Sequence, residues 1–149
     1  MRITELELVS VGNPWKNWLF IRLHTDSGIT GIGEGTLNGF HQSVIAMLQE
    51  LQGVYIGKDP HVIAAISYEM LTQRYSDGGQ VHRAAIAAVE MACWDILGKE
   101  ANQPIYNLWG GRARDQIRMY ANGWYQTGRD PDAVAEKALA DADAAVVQV

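Results

Sequence analysis

From Trp18 to Thr25 the chain alternates with a period of two. Leu19, Ile21 and Leu23 fall on one side, Arg22 and His24 on the other. That alternation predicts a half-buried strand. Ahead of it, Arg2 to Val9 mixes Ile3, Leu6 and Leu8 with Thr4, Glu5 and Glu7, which predicts an irregular first strand. Ser10 to Asn17 reads as a loop, because Gly12, Asn13 and Pro14 are breakers. Asp26-Ser27-Gly28 predicts a turn, and Ile29 to Glu34 a third strand that returns beside the second. Gly31, Gly33 and Gly35 share one face of that strand. With no side chains there, another backbone or a bulky ring can come close.

After Asn38 the period changes to that of a helix. Val44, Leu48 and Leu51 form one stripe, with Gly53 near its end. Gly57 and Asp59-Pro60 mark a loop, and Pro60 suits the start of a second helix whose buried face is Ile63, Ile66 and Met70. Asp77-Gly78-Gly79 breaks the chain again. A third helix, about His82 to Gly98, carries Ala84, Ala85, Ala87, Ala88 and Ala92, small enough to pack closely on more than one side. Asp95 and Lys99 stand four apart, a surface pairing worth only ~0.3 kcal/mol. Past Pro104 a short helix, Ile105 to Trp109, runs into Gly110-Gly111. Ile117, Met119 and Ala121 then alternate as a strand, and Asp130-Pro131 opens a further helix. This last strand and helix make one βα unit, which cannot cover both faces of its strand alone. The tail ALADADAAVVQV shows no second strand with a defined end.

Composition narrows the function classes. The 149 residues suffice for one domain with a real core, or one domain and part of another. Apolar residues at 48% and charged residues at 19% fit a soluble globular chain. With a net charge of −5 and no basic run, a nucleic-acid partner is not expected. Cys93 has no second cysteine to pair with, and its alanine neighbours predict a buried thiol. Glu5 and Glu7 interrupt any leader-like apolar stretch, and no run reaches the ~20 residues of a membrane span. A soluble cytoplasmic protein without a membrane partner follows by default.

Several chemical signatures are missing or spoiled. GIGEG at Gly31 to Gly35 has its glycines misplaced for a dinucleotide turn and opens no helix directly. GVYIGKD at Gly53 to Asp59 is one residue short of a phosphate loop, with Asp59 where a Ser or Thr should hold the metal. There is no HExxH, CxxC or GxSxG, and His24, His41, His61 and His82 share no ligand spacing. Each reads as a surface or helix-cap histidine rather than a metal ligand. The loop VGNPWKNW, Val11 to Trp18, leaves two readings open. Trp15 and Trp18 could cover an open sheet edge, or the loop could be a lid in which the rings exclude water and Lys16 meets an anion. Glu34 reads as a solvated strand end, and Asp95 as a helix-surface or interdomain partner rather than a base.

Taken in order, the strand, the lid loop, GITGIGE, the GKDP turn and AVEMACWDILGKEANQPIYNLWGG resemble the N-terminal capping domain of the enolase superfamily, in its mandelate racemase/muconate lactonizing branch. The WKNWLFIRLHTDSG and GEGTLNG pieces look most like the acid-sugar dehydratases of the galactonate and gluconate type. The resemblance covers about Arg2 to Tyr125. It implies an α+β fold: a three-stranded antiparallel meander plus a helical bundle over residues 1–112, then the first strand and helix of a truncated (β/α) barrel over 113–149. It implies proton abstraction α to a carboxylate followed by loss of water, with Mg²⁺ stabilising the enediolate. The metal ligands and the acid–base residues of the family lie on later barrel strands, so no catalytic or metal residue is assigned here and no cofactor is expected for this chain alone. The substrate-facing parts do carry over: Asn13, Trp15, Lys16 and Trp18 on the first loop, Asn38 and His41 on the second, and Tyr120 and Asn122 at the end of the first barrel strand. The expected ligand of the longer protein is a sugar acid. A racemase, epimerase or cycloisomerase of the same superfamily is the alternative, as is a non-catalytic interaction module. The glycine-free tail is expected to mark a truncation, fragment or frame shift, and the apolar surface left uncovered to favour homo-oligomers or self-association.

Overall fold

Alternation along three strands builds one antiparallel sheet. In the computed structural model, which describes residues 1–13, 16–73, 75–118, 130–143 and 146–148, β1 (Ile3–Asn13), β2 (Lys16–Thr25) and β3 (Thr30–Glu34) lie in the order β1-β2-β3. The register shifts once between Ile3 and Glu5, which is the irregularity the mixed pattern of the first strand predicts. Leu19, Ile21 and Leu23 are fully buried on one face. On the other, Glu7 binds Arg22 at 3.1 Å and His24 Nε2 at 3.0 Å, while His24 Nδ1 meets the Thr30 hydroxyl at 3.0 Å.

The expected loop from Ser10 to Asn17 is shorter in the fold. β1 and β2 stay paired through Val11–Trp18, Gly12–Asn17 and Asn13–Lys16. Gly12 and Asn13 favour turns by propensity, but a partner strand that satisfies their backbone groups keeps them extended.

The helices that follow are α1 (His41–Glu50), α2 (Gln52–Tyr55), α3 (Ile63–Thr72), α4 (Gly79–Glu100) and α5 (Ile105–Leu108). α4 and α1 pack on the buried face of the sheet, while α3 and α5 pack against α4 and α2 against α1 and α3. Val44, Leu48, Ile66 and Met70 sit in the core as their spacing predicts. α4 is longer than its alanine run because Gly79, at φ 58°, turns the chain directly into the helix. α3 starts three residues after Pro60. Asp59 accepts the His61 N–H, and the Val62 N–H bonds the Asp59 carbonyl, so the proline occupies a turn instead of the first helical position.

The glycine stripe explains how α4 meets β3. A Cβ on Gly31 would lie 2.0 Å from the Ala92 carbonyl oxygen, and one on Gly33 2.0 Å from that of Ala88. The helix backbone occupies the space the missing side chains leave. Asp95 and Lys99 then do more than pair with each other at 2.6 Å. Asp95 Oδ2 accepts the Ile32 N–H at 2.8 Å, and Lys99 Nζ donates to the Thr30 carbonyl at 2.7 Å. Both are outward-facing groups of the edge strand, so this helix pair occupies hydrogen-bonding positions that another strand would use.

His82 corrects the surface reading of the histidines. It is fully buried and its Nε2 donates to the Met70 carbonyl at 2.8 Å, joining the first turn of α4 to α3. Cys93 is buried as predicted, and desolvation, helped by the Glu90 charge, pushes its thiol up to about 12. Trp109 stands edge-on to Trp94 with ring centroids 5.3 Å apart, which holds the segment after α5 against α4.

His61 fastens the turn before α3 to the end of α4. Its Nδ1 meets Asp59 at 2.6 Å, and its Nε2 bonds Glu100. Both carboxylates can only accept, so the ring fits as an imidazolium. The bond to Asp59, then that to Glu100, raises the pKa of His61 above 6.5. The backbone N–H of His61, then its ring, lowers that of Asp59 below 3.8. A raised histidine contributes stability that is complete below its ordinary pKa and disappears as pH climbs through the raised value. A depressed aspartate contributes above its ordinary pKa and loses its effect as pH falls. The contact is therefore strongest between about pH 4 and 6.5. His61→Ala is expected to lower the melting temperature by about 2–5 °C at pH 6 and by less at pH 9. Equal losses at both pH values in thermal scans would contradict this account.

By its contacts the chain divides into two compact units, Met1–Trp109 and Gly110–Val149. The second holds β4 (Gln116–Arg118), α6 (Pro131–Asp143) and β5 (Val146–Gln148). Asp130 caps α6 as expected, its Oδ1 accepting the Asp132 N–H at 3.1 Å. The tail differs from expectation: Val146 and Val147, both β-branched, form a short strand antiparallel to β4. Successive strands of a (β/α) barrel run parallel, so this pairing is not the one a barrel uses.

Candidate functional site

A hydrogen bond ties the start of α1 to the far part of β1. His41, the first residue of α1, places Nε2 3.0 Å from the Ser10 hydroxyl on β1. A second link lies beside it. Leu19 donates its N–H to Thr36 Oγ1 at 3.0 Å, and Gly35 donates to the Leu19 carbonyl at 2.8 Å. These bonds continue the ladder past β3 and fix where the segment 35–40 leaves the sheet. Gly39 takes φ 80°, and Phe40 follows it half exposed into α1.

The residues singled out from sequence do not all share one face. Lys16 and Trp18 alternate with the buried Leu19, so they lie on the face of β2 away from the helices. There the Lys16 ammonium sits 5.0 Å from the centroid of the Trp18 ring, a cation–π distance. Val11 is the cross-strand neighbour of Trp18 and is half exposed. His41 instead meets Ser10, whose cross-strand partner is the inward-facing Leu19. Asn13 pairs with Lys16 at the last described position of β1, and Asn38 is exposed in the turn before α1. Trp15, Tyr120 and Asn122 lie outside the described residues.

Ser10 and Thr36 were missed in the sequence reading. Each is a hydroxyl residue beside a glycine-containing stretch, and nothing in local spacing shows that a hydroxyl will meet a residue 31 or 17 positions away. Chemically, the described part of the region offers an ammonium on an aromatic face, a hydroxyl–imidazole pair and an apolar rim. The two pairs lie on opposite faces at this end of the sheet, and each can meet a polar or anionic group. Among the described residues no three His, Cys, Asp or Glu side chains are grouped to hold a metal ion. None of the described helices is long and apolar enough to cross a membrane.

A three-stranded antiparallel meander with helices packed on one face is the capping-domain fold of the enolase superfamily. The chain belongs to the mandelate racemase/muconate lactonizing enzyme N-terminal domain family, whose model matches residues 9–110. It is 44% identical over 115 residues to a D-galactonate dehydratase family member of Pseudarthrobacter chlorophenolicus, covering 76% of this chain and 28% of that protein. It is also 44% identical over 126 residues to a D-mannonate dehydratase of Novosphingobium aromaticivorans, covering 83% of this chain and 31% of the relative. The chain thus spans about a third of the length of the curated relatives it matches. Among solved structures, a member of the enolase superfamily from Salmonella Typhimurium superposes with a TM-score of 0.81 at 28% identity, over 95% of this chain and 40% of that one. An enolase from Pantoea ananatis with bound D-gluconate and Mg superposes with a TM-score of 0.80 at 29% identity, over 95% of this chain and 34% of the other.

Proposed function

We propose that this chain is the substrate-covering N-terminal portion of a Mg²⁺-dependent acid-sugar dehydratase and is inactive by itself. Residues 1–112 form its capping domain, and 113–149 belong to the start of the catalytic domain. The observation that carries this reading is the 44% identity to proteins named as D-galactonate and D-mannonate dehydratases. The Pantoea ananatis neighbour, which binds D-gluconate and Mg, supports the ligand class.

The described residues do not supply a metal centre, so the chemistry derived from this chain is that of binding. Asn13, Trp15, Lys16 and Trp18 at the end of the β1–β2 pair, and Asn38 and His41 beside α1, form the cover over the sugar acid. The Lys16 ammonium attracts the anionic substrate, while the Trp18 ring beneath it keeps that cation oriented and water out. Ser10 holds the His41 ring at the rim. Tyr120 and Asn122 complete the set of residues assigned to the substrate. In the complete protein, bound Mg²⁺ would stabilise the enediolate formed when the α-proton is removed.

The test is a dehydration assay with Mg²⁺ and D-galactonate, D-mannonate and D-gluconate, following 2-keto-3-deoxy acid. The chain alone is expected to give no turnover. Fused to the remaining two thirds of the Novosphingobium aromaticivorans relative, it is expected to turn over an aldonate. Lys16→Met in that fusion should raise KM about tenfold with kcat changed less, the signature of lost uniform binding. Turnover by the 149 residues alone would overturn the assignment of the catalytic groups to residues outside this chain. A folded fusion that racemises a substrate without dehydrating it would replace the dehydratase reading.

A further inference from the structure

α4 has two working faces. One carries Ala85, Ala88 and Ala92, all fully buried. The other carries Arg83, Ala87 and Met91, all exposed at a spacing of four. Beside this second face, α3 presents Tyr68 at 69% exposure and Leu71 at 40%. Between the two helices lies a hollow of about 300 Å³ bordered by Tyr68, Leu71, Arg83, Ala87 and Glu90. Large apolar groups left in water around a small central residue mark an interaction surface.

The charges on this face identify what fits it. Arg83 and Glu90 are seven residues apart, about 10 Å along the helix and nearly on one line. Ala87 stands close to their midpoint. A two-fold axis through that midpoint lays α4 antiparallel on its own copy. Arg83 of each protomer then faces Glu90 of the other, so the pair is made twice and each charge has one partner. Ala87 crosses near Ala87, where a methyl lets two helices come close. The present partners do not prevent this. Arg83 reaches Asp77 at 3.3 Å with both side chains more than 60% exposed, and Ser67 donates to Glu90 at 3.3 Å. The exposed Arg83–Asp77 pair contributes little and exchanges readily, and the long, part-buried bond from Ser67 leaves Glu90 able to accept a second donor. We infer that the α3–α4 face is a homodimer interface, centred on Ala87 and given its register by reciprocal Arg83–Glu90 pairs.

Sedimentation equilibrium on the full chain tests this. The wild type is expected to form a dimer in the micromolar range, on the order of 1–100 µM. Arg83→Glu and Glu90→Arg should each weaken it at least about tenfold, since each sets like charges opposite one another. The double reversal should restore it to within about threefold. Circular dichroism checks that each variant folds. Independently, Ala87→Cys should oxidise to a covalent dimer, without interference from the buried Cys93. A strictly monomeric chain overturns the proposal. So does a dimer indifferent to both single reversals, which is what association through the exposed side chains of α5 would give, or a double reversal that fails to restore binding.

Discussion

Gly33→Val is expected to abolish folding of the first unit. A Cβ at this position would lie 2.0 Å from the Ala88 carbonyl oxygen and 2.9 Å from its carbon. Both are backbone atoms inside a 22-residue helix, so no rotamer change relieves the contact. Moving α4 away would open the contacts of Ala85, Ala88 and Ala92, the residues that seat it on the sheet. Overpacking a core by a methylene or two costs about 1–3 kcal/mol when side chains can adjust. Here they cannot, and the loss should exceed about 4 kcal/mol, close to the whole stability of a small domain. Gly33→Ala should be milder in the same direction. Gly53→Ala is the control, because nothing lies within 4 Å of its added methyl and alanine favours a helix. Urea unfolding followed by circular dichroism separates the three. If Gly33→Val kept a wild-type midpoint, the close approach of α4 to β3 would be wrong.

Tyr55→Ala has the second largest expected effect, a loss of about 3–5 kcal/mol. Tyr55 is the largest fully buried side chain among the described residues. Its hydroxyl donates to the Leu48 carbonyl at 2.8 Å. Leu48 lies in the last turn of α1, where carbonyls have no partner within their own helix. The phenol therefore fills core volume and satisfies a helix end together. Tyr55→Phe separates the two roles and should cost only about 1 kcal/mol. Burial raises the phenol pKa well above 10. The unfolded chain thus ionises first, and the stability tied to Tyr55 is lost as pH rises past about 10. Urea midpoints at pH 7 and 10.5 for wild type and Tyr55→Phe measure this. A similar alkaline loss in both proteins would assign it to other groups.

Much of the sheet and core was legible because burial imposes periods. Leu19, Ile21 and Leu23 had to share a face, as did Val44 and Leu48, and the structure buries all five. The glycines at 31, 33 and 35 announced a close approach but not what approaches, since a ring and a backbone require the same gap. Asp95 and Lys99 looked like a routine surface pair. Their bonds to Ile32 and Thr30 span more than sixty positions, and no local pattern carries such a relation. The burial of His82 is hidden from local sequence for the same reason. Its acceptor is a main-chain carbonyl at the end of another helix, a group present at every residue and marked by none.

The candidate site was legible in its parts and not in its arrangement. Lys16 between two tryptophans reads directly from the chain, and the family resemblance adds Asn38 and His41. Only the paired strands show that Lys16 and Trp18 face away from the helices while His41 meets Ser10. Side-chain alternation along β2, combined with a register set by ten cross-strand pairs, decides that division. By itself the sequence determined which segments alternate, which are helical, where glycine is required and which family the segments resemble. Those properties follow from local sterics and from the need of each segment to bury one face. The tertiary structure alone decided what lies against the glycine stripe, which strand groups Asp95 and Lys99 occupy, and which helix face remains open. Each is a contact between residues far apart in the chain, set by how the segments pack rather than by what any one of them contains.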